Sequence, residues 1–141
     1  MRKFFLLSFF IFVNVHLNAQ QNSVLQSGNW YKIAVPDNGI YQLDINDLED
    51  LGVATSNLSV SSIKLFGNGG GMLSPKNSDF RYDDLQENAI QVIDLNGNGI
   101  FNSDDYILFY GQSPHKWNFD SVSNIFNFSE HLYSDLNYYF L

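Results

Sequence analysis

The chain has 141 residues, a formal net charge of −8, 16% aromatic residues and no cysteine. This length allows one ordinary domain, and the aromatic content is too high for a disordered segment. The absence of cysteine excludes a disulfide framework, a thiolate metal site and a cysteine nucleophile within the chain. Nucleic acid is not expected as a partner, because phosphates are bound by clustered Lys and Arg, whereas only seven such residues are scattered here.

Residues 1–19 have the three-part pattern of a secretory signal peptide. Residues 2 and 3 are basic, residues 4–13 are almost entirely apolar, and Leu17 and Ala19 occupy the −3 and −1 positions before Gln20. The apolar run is shorter than the roughly 20 residues that a membrane-spanning helix needs. The pattern therefore predicts cleavage before Gln20 and export through the Sec pathway, with no membrane span in the mature chain.

The exported part, residues 20–141, is predicted to be mainly β. Aromatic and β-branched residues predict strands at 29–35, 40–43, 62–66, 89–93, 106–110, 117–119, 125–128 and 137–141. The sequence Pro-Asp-Asn-Gly at 36–39 is typical of a turn and predicts that the first two strands form a β-hairpin. The spacing of turns favours a β-sandwich-like domain.

A single short helix is predicted after the second strand. Asp44 can accept hydrogen bonds from the free amides of the first turn. Ile45, Leu48 and Leu51 recur at helical spacing, and Gly52 is a typical helix stop.

Residues 94–105 have the spacing of an EF-hand-like calcium loop between two predicted strands. Oxygen ligands are expected at positions 1, 3, 5, 7, 9 and 12, with glycine at position 6. These positions hold Asp94, Asn96, Asn98, the Ile100 carbonyl, Asn102 and Asp105, and Gly99 is the sixth residue. The spacing resembles the dockerin variant of the loop, which favours Asp at position 12 and an apolar residue at position 8.

The calcium interpretation has a plain alternative, since Asn, Asp and Gly also make ordinary turns. Because only two of the side-chain ligands are carboxylates, we expect weak to moderate affinity, suited to an extracellular supply of Ca²⁺. The motif contains no nucleophile or general base, so the ion would have a structural role.

Other patterns carry weaker functional interpretations. The glycines at 67–71 follow a strand but do not precede a helix, which favours a tight turn or close packing over phosphate binding. Ser113, His115 and Asp120 could be drawn as a triad, but sequence proximity says little about geometry. The carboxylates at 83, 84 and 87 are expected on a solvated loop. The aromatic residues Trp30, Trp117, Tyr138 and Tyr139 suit either a sugar platform or the core.

Several segments in a fixed order resemble the amino-terminal region of the type IX secretion system sortases of Bacteroidetes, the PorU family of gingipain-like cysteine peptidases. These segments include Gly-x-Trp-Tyr-Lys-Ile at 28–33, Gly-Ile-Tyr-x-Leu at 39–43, Leu-Phe-Gly-Asn-Gly-Gly-Gly at 65–71, Asp-Tyr-Ile-Leu-Phe-Tyr-Gly at 105–111 and Tyr-Ser-Asp-x-Asn-Tyr-Tyr-Phe-Leu at 133–141. The resemblance covers nearly all of residues 20–141.

The resemblance implies a non-catalytic accessory domain of a cell-surface sortase that processes carboxy-terminal sorting signals of secreted proteins. In that family, catalysis uses a Cys/His pair in a downstream peptidase domain, so no catalytic residue transfers to this cysteine-free chain. The implied partners are that peptidase domain and other secretion-system components, at the periplasm or the outer-membrane surface. The alternative is an independent exported module that binds carbohydrate or protein and is stabilised by calcium.

Overall fold

The computed structural model describes residues 23–141, so the predicted signal peptide lies outside the described residues. The described part contains nine strands, numbered β1 to β9: Lys32–Val35, Gly39–Leu43, Leu65–Phe66, Glu87–Asn88, Ile90–Ile93, Tyr106–Gly111, Lys116–Asp120, Ile125–Ser129 and Asn137–Phe140. One helix, α1, spans Ile45–Asp50, and short 3₁₀ turns lie at Val24–Gln26 and Val60–Ser62. The prediction of a mainly β domain with one short helix is confirmed.

The strands form two larger antiparallel sheets and a separate hairpin. Sheet A has the order β1-β9-β3-β4, and sheet B has the order β2-β6-β5. Strands β7 and β8 pair only with each other. The main apolar core brings together residues of both larger sheets, which is the arrangement of a β-sandwich-like domain.

The predicted hairpin between the first two strands is wrong. Strand β1 pairs with β9, from Lys32 opposite Phe140, whereas β2 pairs with β6, from Gly39 opposite Gly111. The turn at 36–39 therefore carries the chain from sheet A to sheet B. Local sequence specifies a strand and a turn, but the choice of pairing partner depends on burial in a shared core.

Most of the core lies between the facing surfaces of sheets A and B. Its buried members come from four strands in the two sheets and are Ile33, Val35, Leu65, Phe109 and Tyr139. A second cluster lies where α1 and the calcium-like loop meet β6, and comprises Leu48, Ile63, Phe101 and Ile107. Strand β6 contributes Phe109 to the first cluster and Ile107 to the second, so it links the two parts of the core.

Helix α1 forms as the sequence predicts. The Asp44 carboxylate accepts hydrogen bonds from the amides of Asn46 (2.8 Å) and Asp47 (3.0 Å), and the Asp47 carboxylate accepts the Asp44 amide in return. The amides of Asp47 and Asn46 hold the pKa of Asp44 below its usual range. This reciprocal capping satisfies two free amides of the first turn, and Leu48 anchors the helix to the core with no exposed surface.

The glycine-rich segment 67–71 serves close packing, as the sequence analysis favoured. A Cβ built on Gly67 would lie 2.7 Å from the Tyr139 ring, and one built on Gly70 would overlap the Ser113 carbonyl oxygen. Gly69 and Gly71 have φ values of +78° and +87°, which side chains rarely adopt. The segment can therefore lie directly against sheet A and the loop after β6.

The contact at Gly70 predicts a position-specific effect of alanine. Gly70→Ala is expected to destabilise the domain by about 1–3 kcal/mol, because the new methyl group must displace backbone atoms. Gly39→Ala is the matched control, since a Cβ at that position meets nothing within 4 Å. Urea unfolding of the two variants measures the difference; equal stabilities would contradict the packing role of Gly70.

Candidate functional site

The calcium-like loop, residues 94–105, connects β5 to β6, as its position between two predicted strands requires. These strands pair antiparallel, and Ile93 lies opposite Tyr106 at the last rung before the loop. Both ends of the loop are therefore held together by the sheet, not by the paired helices of an EF-hand.

Asp94 organises the first half of the loop. One carboxylate oxygen accepts the Gly97 amide at 2.8 Å, and the other accepts the Gly99 amide at 2.7 Å. Both glycines have positive φ, +68° and +77°, so the chain curls around the carboxylate in a conformation that glycine tolerates best. This geometry explains why glycine occupies the sixth position of the loop.

The next two predicted ligands continue the curl. The side-chain oxygen of Asn96 accepts the Asn98 amide at 3.0 Å, and that of Asn98 accepts the Ile100 amide at 2.7 Å. The Asn102 side chain donates to the Ile100 carbonyl at 3.2 Å and accepts the Asp104 amide at 3.2 Å. Each predicted residue therefore has a defined position within one closed turn.

Asp105 closes the loop from its other end and is only 1% exposed. One of its carboxylate oxygens accepts the Leu95 amide at 2.9 Å, and the other accepts the Asn102 amide at 2.9 Å. The carboxylate thus joins the start of the loop to its end. A buried carboxylate without such partners would be strongly unfavourable.

The loop is fixed to the domain through its seventh and eighth residues. Ile100 forms an isolated antiparallel bridge with Ser59, and the Phe101 amide donates to the Leu58 carbonyl at 2.8 Å. The Phe101 side chain is 1% exposed and belongs to the core cluster at the end of α1. The apolar residue at position 8 therefore anchors the loop.

The donor set is compatible with Ca²⁺, which prefers carboxylate, amide and carbonyl oxygens. Six side-chain oxygens of the loop each accept one backbone amide and keep a second lone pair. They are both carboxylate oxygens of Asp94, the amide oxygens of Asn96 and Asn98, and both carboxylate oxygens of Asp105. The described residues contain no group of three or more His, Cys, Asp or Glu side chains arranged to hold a metal. A cation here would depend on two carboxylates supplemented by amide and carbonyl oxygens.

The structure does not assemble a Ser/His/Asp triad. The Ser113 hydroxyl donates to the Pro36 carbonyl at 3.0 Å and is committed to the packing between β1 and β6. His115 instead contacts the segment after β8, where its Nδ1 accepts the His131 amide. Asp120 accepts hydrogen bonds from Ser123 and Val122, which lower the pKa of its carboxyl group. These bonds stabilise the turn between β7 and β8. None of the three has the geometry of a nucleophile and its base.

Two of the three acidic residues at 83–87, Asp84 and Glu87, have separate structural partners. Asp84 accepts the amides of Val24 (2.6 Å) and Leu85 (2.8 Å), which lower its pKa, Val24 the more strongly. Glu87 pairs with Lys64 at 3.1 Å on the surface. Asp84 therefore fixes the amino-terminal 3₁₀ turn, and no carboxylate pair of the kind used in glycoside hydrolysis is formed here.

The aromatic residues singled out from the sequence do not form one platform. Tyr139 is fully buried, and Trp30 packs edge-on against Phe66 at 5.2 Å between ring centroids. The Lys32 ammonium lies over the Tyr138 ring, 3.5 Å from its centroid. Trp117 is exposed, but it lies on the β7–β8 hairpin.

The β7–β8 hairpin has an aromatic face that was not predicted from the sequence. Trp117 lies opposite Phe128 and Phe119 lies opposite Phe126, with 5.0 Å between the ring centroids of each pair. All four rings are more than half exposed. Aromatic residues at every second position of both strands lie on one face. This alternation could have predicted the face from the sequence. Only the structure shows that nothing in the described domain covers it.

A groove of about 550 Å³ lies beside β1 and β3. Its walls include apolar and aromatic side chains with one lysine: Trp30, Leu58, Ile63, Lys64, Phe66 and Leu141.

Within residues 23–141, no helix has the length and apolar character needed to cross a membrane.

The geometry defines the described chain as a small β-sandwich-like domain with a hydrogen-bonded EF-hand-like loop. No family model matches the sequence, and no curated protein is similar to it. Its structure is similar to the crystal structure of dimeric latent PorU from Porphyromonas gingivalis, with 28% sequence identity and a TM-score of 0.56. The match covers 84% of this chain and 10% of the PorU chain.

This likeness confirms the resemblance drawn from the sequence motifs, since the similar structure is PorU itself. The chain is thus similar in sequence and fold to a small part of PorU. The chain spans about a tenth of the length of the PorU chain that it matches.

The closure by Asp105 predicts a specific loss of stability. In Asp105→Asn, one acceptor oxygen becomes an amide group that faces a backbone N–H, which is expected to cost about 1–3 kcal/mol. Asp104→Asn is the control, because Asp104 is exposed, and its effect should stay within about 0.5 kcal/mol. Chemical denaturation without added calcium measures both; a neutral effect at 105 would contradict the closure.

Proposed function

We propose that this chain is a non-catalytic amino-terminal accessory domain of a cell-surface sortase of the type IX secretion system. The structural likeness to PorU over 84% of the chain is the observation that carries the proposal. The sequence motifs, which run from residue 28 to the last residue of the chain, support it independently. In this proposal the parent protein removes carboxy-terminal sorting signals from secreted proteins.

The chemistry of the sortase belongs to another part of the parent protein in this proposal. The chain has no cysteine, and Ser113, His115 and Asp120 are each engaged in structural hydrogen bonds. The domain would contact the downstream peptidase domain or other secretion components. The signal-peptide pattern at residues 1–19 supports export to the periplasm or the outer-membrane surface.

The proposal is tested first by the genomic sequence that follows the codon for Leu141. We expect the reading frame to continue into a domain with a Cys/His catalytic pair. In that parent protein, internal deletion of residues 23–141 should impair processing of sorting signals, while the peptidase domain remains folded. The purified chain alone should show no peptidase activity.

A stop codon directly after Leu141, together with specific binding of a glycan or protein by the purified chain, would favour the alternative of an independent exported binding module. The exposed aromatic face of the β7–β8 hairpin supports that alternative, because aromatic rings bind both sugars and protein partners.

We also propose that the loop at 94–105 binds Ca²⁺ as a structural ion. The oxygens of Asp94, Asn96, Asn98, Ile100, Asn102 and Asp105 would supply the ligands, the ninth position acting through water as in many such loops. The ion would compensate the two carboxylates and tighten the connection between β5 and β6. Its expected affinity is low because only two ligands carry charge.

Calcium titration tests the loop directly. A dissociation constant of about 10⁻⁴ M with about 1 mM Ca²⁺ predicts about 1.4 kcal/mol of stabilisation. For a domain of this size the corresponding increase in Tm is about 5 °C. Asp94→Asn should abolish the calcium-dependent increase, and Asp104→Asn should retain it. An unchanged Tm with calcium and with chelator would identify the loop as a plain turn.

A further inference from the structure

The β7–β8 hairpin is joined to the domain at its base by two histidines. The Lys116–Ser129 pair is the last rung of the hairpin ladder, and His115 and His131 lie just beyond it. The His131 backbone amide donates to Nδ1 of His115 at 3.0 Å. The His115 amide in turn donates to the buried Ser113 hydroxyl at 3.2 Å.

The second histidine holds the chain that leaves the hairpin. Nδ1 of His131 accepts the backbone amides of Tyr133 at 3.3 Å and Ser134 at 3.1 Å. The imidazole therefore closes a turn in the segment that leads to β9. Three backbone amides between residues 131 and 134 depend on these two imidazole nitrogens.

Both histidines must be uncharged to accept these hydrogen bonds. In neutral imidazole one ring nitrogen is an acceptor and the other carries the proton, whereas in the imidazolium both nitrogens are donors. Protonation of His115 would set a ring N–H against the His131 amide. Protonation of His131 would do the same against the amides of Tyr133 and Ser134.

We propose that His115 and His131 form a pH-sensitive latch that fixes the base of the β7–β8 hairpin at neutral pH and releases it on acidification. The hairpin carries the exposed aromatic face, so the latch controls how firmly the base of the hairpin is held to the domain. This inference does not depend on the proposed sortase function, because it rests only on hydrogen bonds within the described domain.

Nearby charges do not replace the lost hydrogen bonds. Lys116 in β7 and Glu130 adjoin the two histidines in the chain, and Asp135 lies in the segment before β9. Asp135 lies 3.7 Å from Nε2 of His115, but the Asp135 side chain is 95% exposed. Solvent screens such a pair, whereas the acceptor nitrogen of His115 lies on a side chain that is only 23% exposed.

Asparagine provides a matched variant that cannot titrate. Its Oδ1 is attached at the same position of the side chain as the histidine Nδ1, so it can accept the same backbone amides, and it stays an acceptor at every pH of interest. At position 131 this bond closes an Asx turn to the amides two and three residues later, and at position 115 it accepts the amide of residue 131. The double variant His115→Asn, His131→Asn should therefore keep the latch closed on acidification. The single variant His131→Asn should protect only the amides of Tyr133 and Ser134.

NMR order parameters of the purified chain provide the test, between pH values of about 7.5 and 5, a range in which histidine changes charge. In the unmodified chain, backbone order parameters of residues 131–134 should fall from about 0.85 to below about 0.6. In the double variant they should stay near the higher value at both pH values. The Ser113 amide, which donates to the Asn38 side chain at 3.0 Å, is the internal control and should stay rigid throughout.

Two results would overturn the latch. One is unchanged order in residues 131–134 of the unmodified chain at the lower pH. The other is the same loss of order in the double variant, since that loss cannot come from imidazole. If the double variant does not fold at neutral pH, the single variant His131→Asn decides by comparing residues 133 and 134 with residue 131.

Discussion

Burial of Tyr139 between the two sheets is the contact on which the rest of the domain depends. Its side chain has no exposed surface, and its ring meets Phe109 of the opposite sheet edge-on at 5.6 Å between centroids. Burial raises the pKa of the Tyr139 hydroxyl, which accepts the Gln112 amide at 3.0 Å. One side chain therefore joins β9 to sheet B and satisfies the backbone where β6 ends. Gly67 has to be a glycine because this ring occupies the space of its Cβ.

The candidate sites lie at opposite ends of the same central strand. At the start of β6, the loop 94–105 is closed by Asp105 and anchored by Phe101 in the core. At its end, the chain passes Ser113 and enters the β7–β8 hairpin, whose aromatic face lies outside both sheets. Packing of β6 against sheet A thus fixes the position of both features. A sandwich that carries a hydrogen-bonded loop and a projecting hairpin is compatible with the proposed accessory role, since loops and projecting elements on a scaffold commonly carry binding surfaces.

Features that depend on a few neighbouring residues could be predicted well. The cap of α1 at Asp44 and its stop near Gly52 are decided within one turn of helix. The loop at 94–105 was also recognisable, because Asp94 and the two glycines act within six residues. The hairpin predicted at residues 29–43 was wrong, because strand pairing is decided over distances of a hundred residues. The burial of individual aromatic residues could not be predicted either. Tyr139 is buried and Trp117 is exposed, although both lie in strands rich in aromatic residues.

The sequence by itself determined the fold class, the short helix, the form of the calcium-like loop, the lack of a cysteine nucleophile and the relationship to PorU. Each of these depends on residue identity or on contacts between near neighbours. Only the tertiary structure decided that β1 pairs with β9, that Ser113 and His115 make structural contacts, and that four aromatic rings lie uncovered on one hairpin. The physical reason is that apolar and aromatic side chains gain the same free energy from any suitable burial, so their partners are selected only when the whole chain packs.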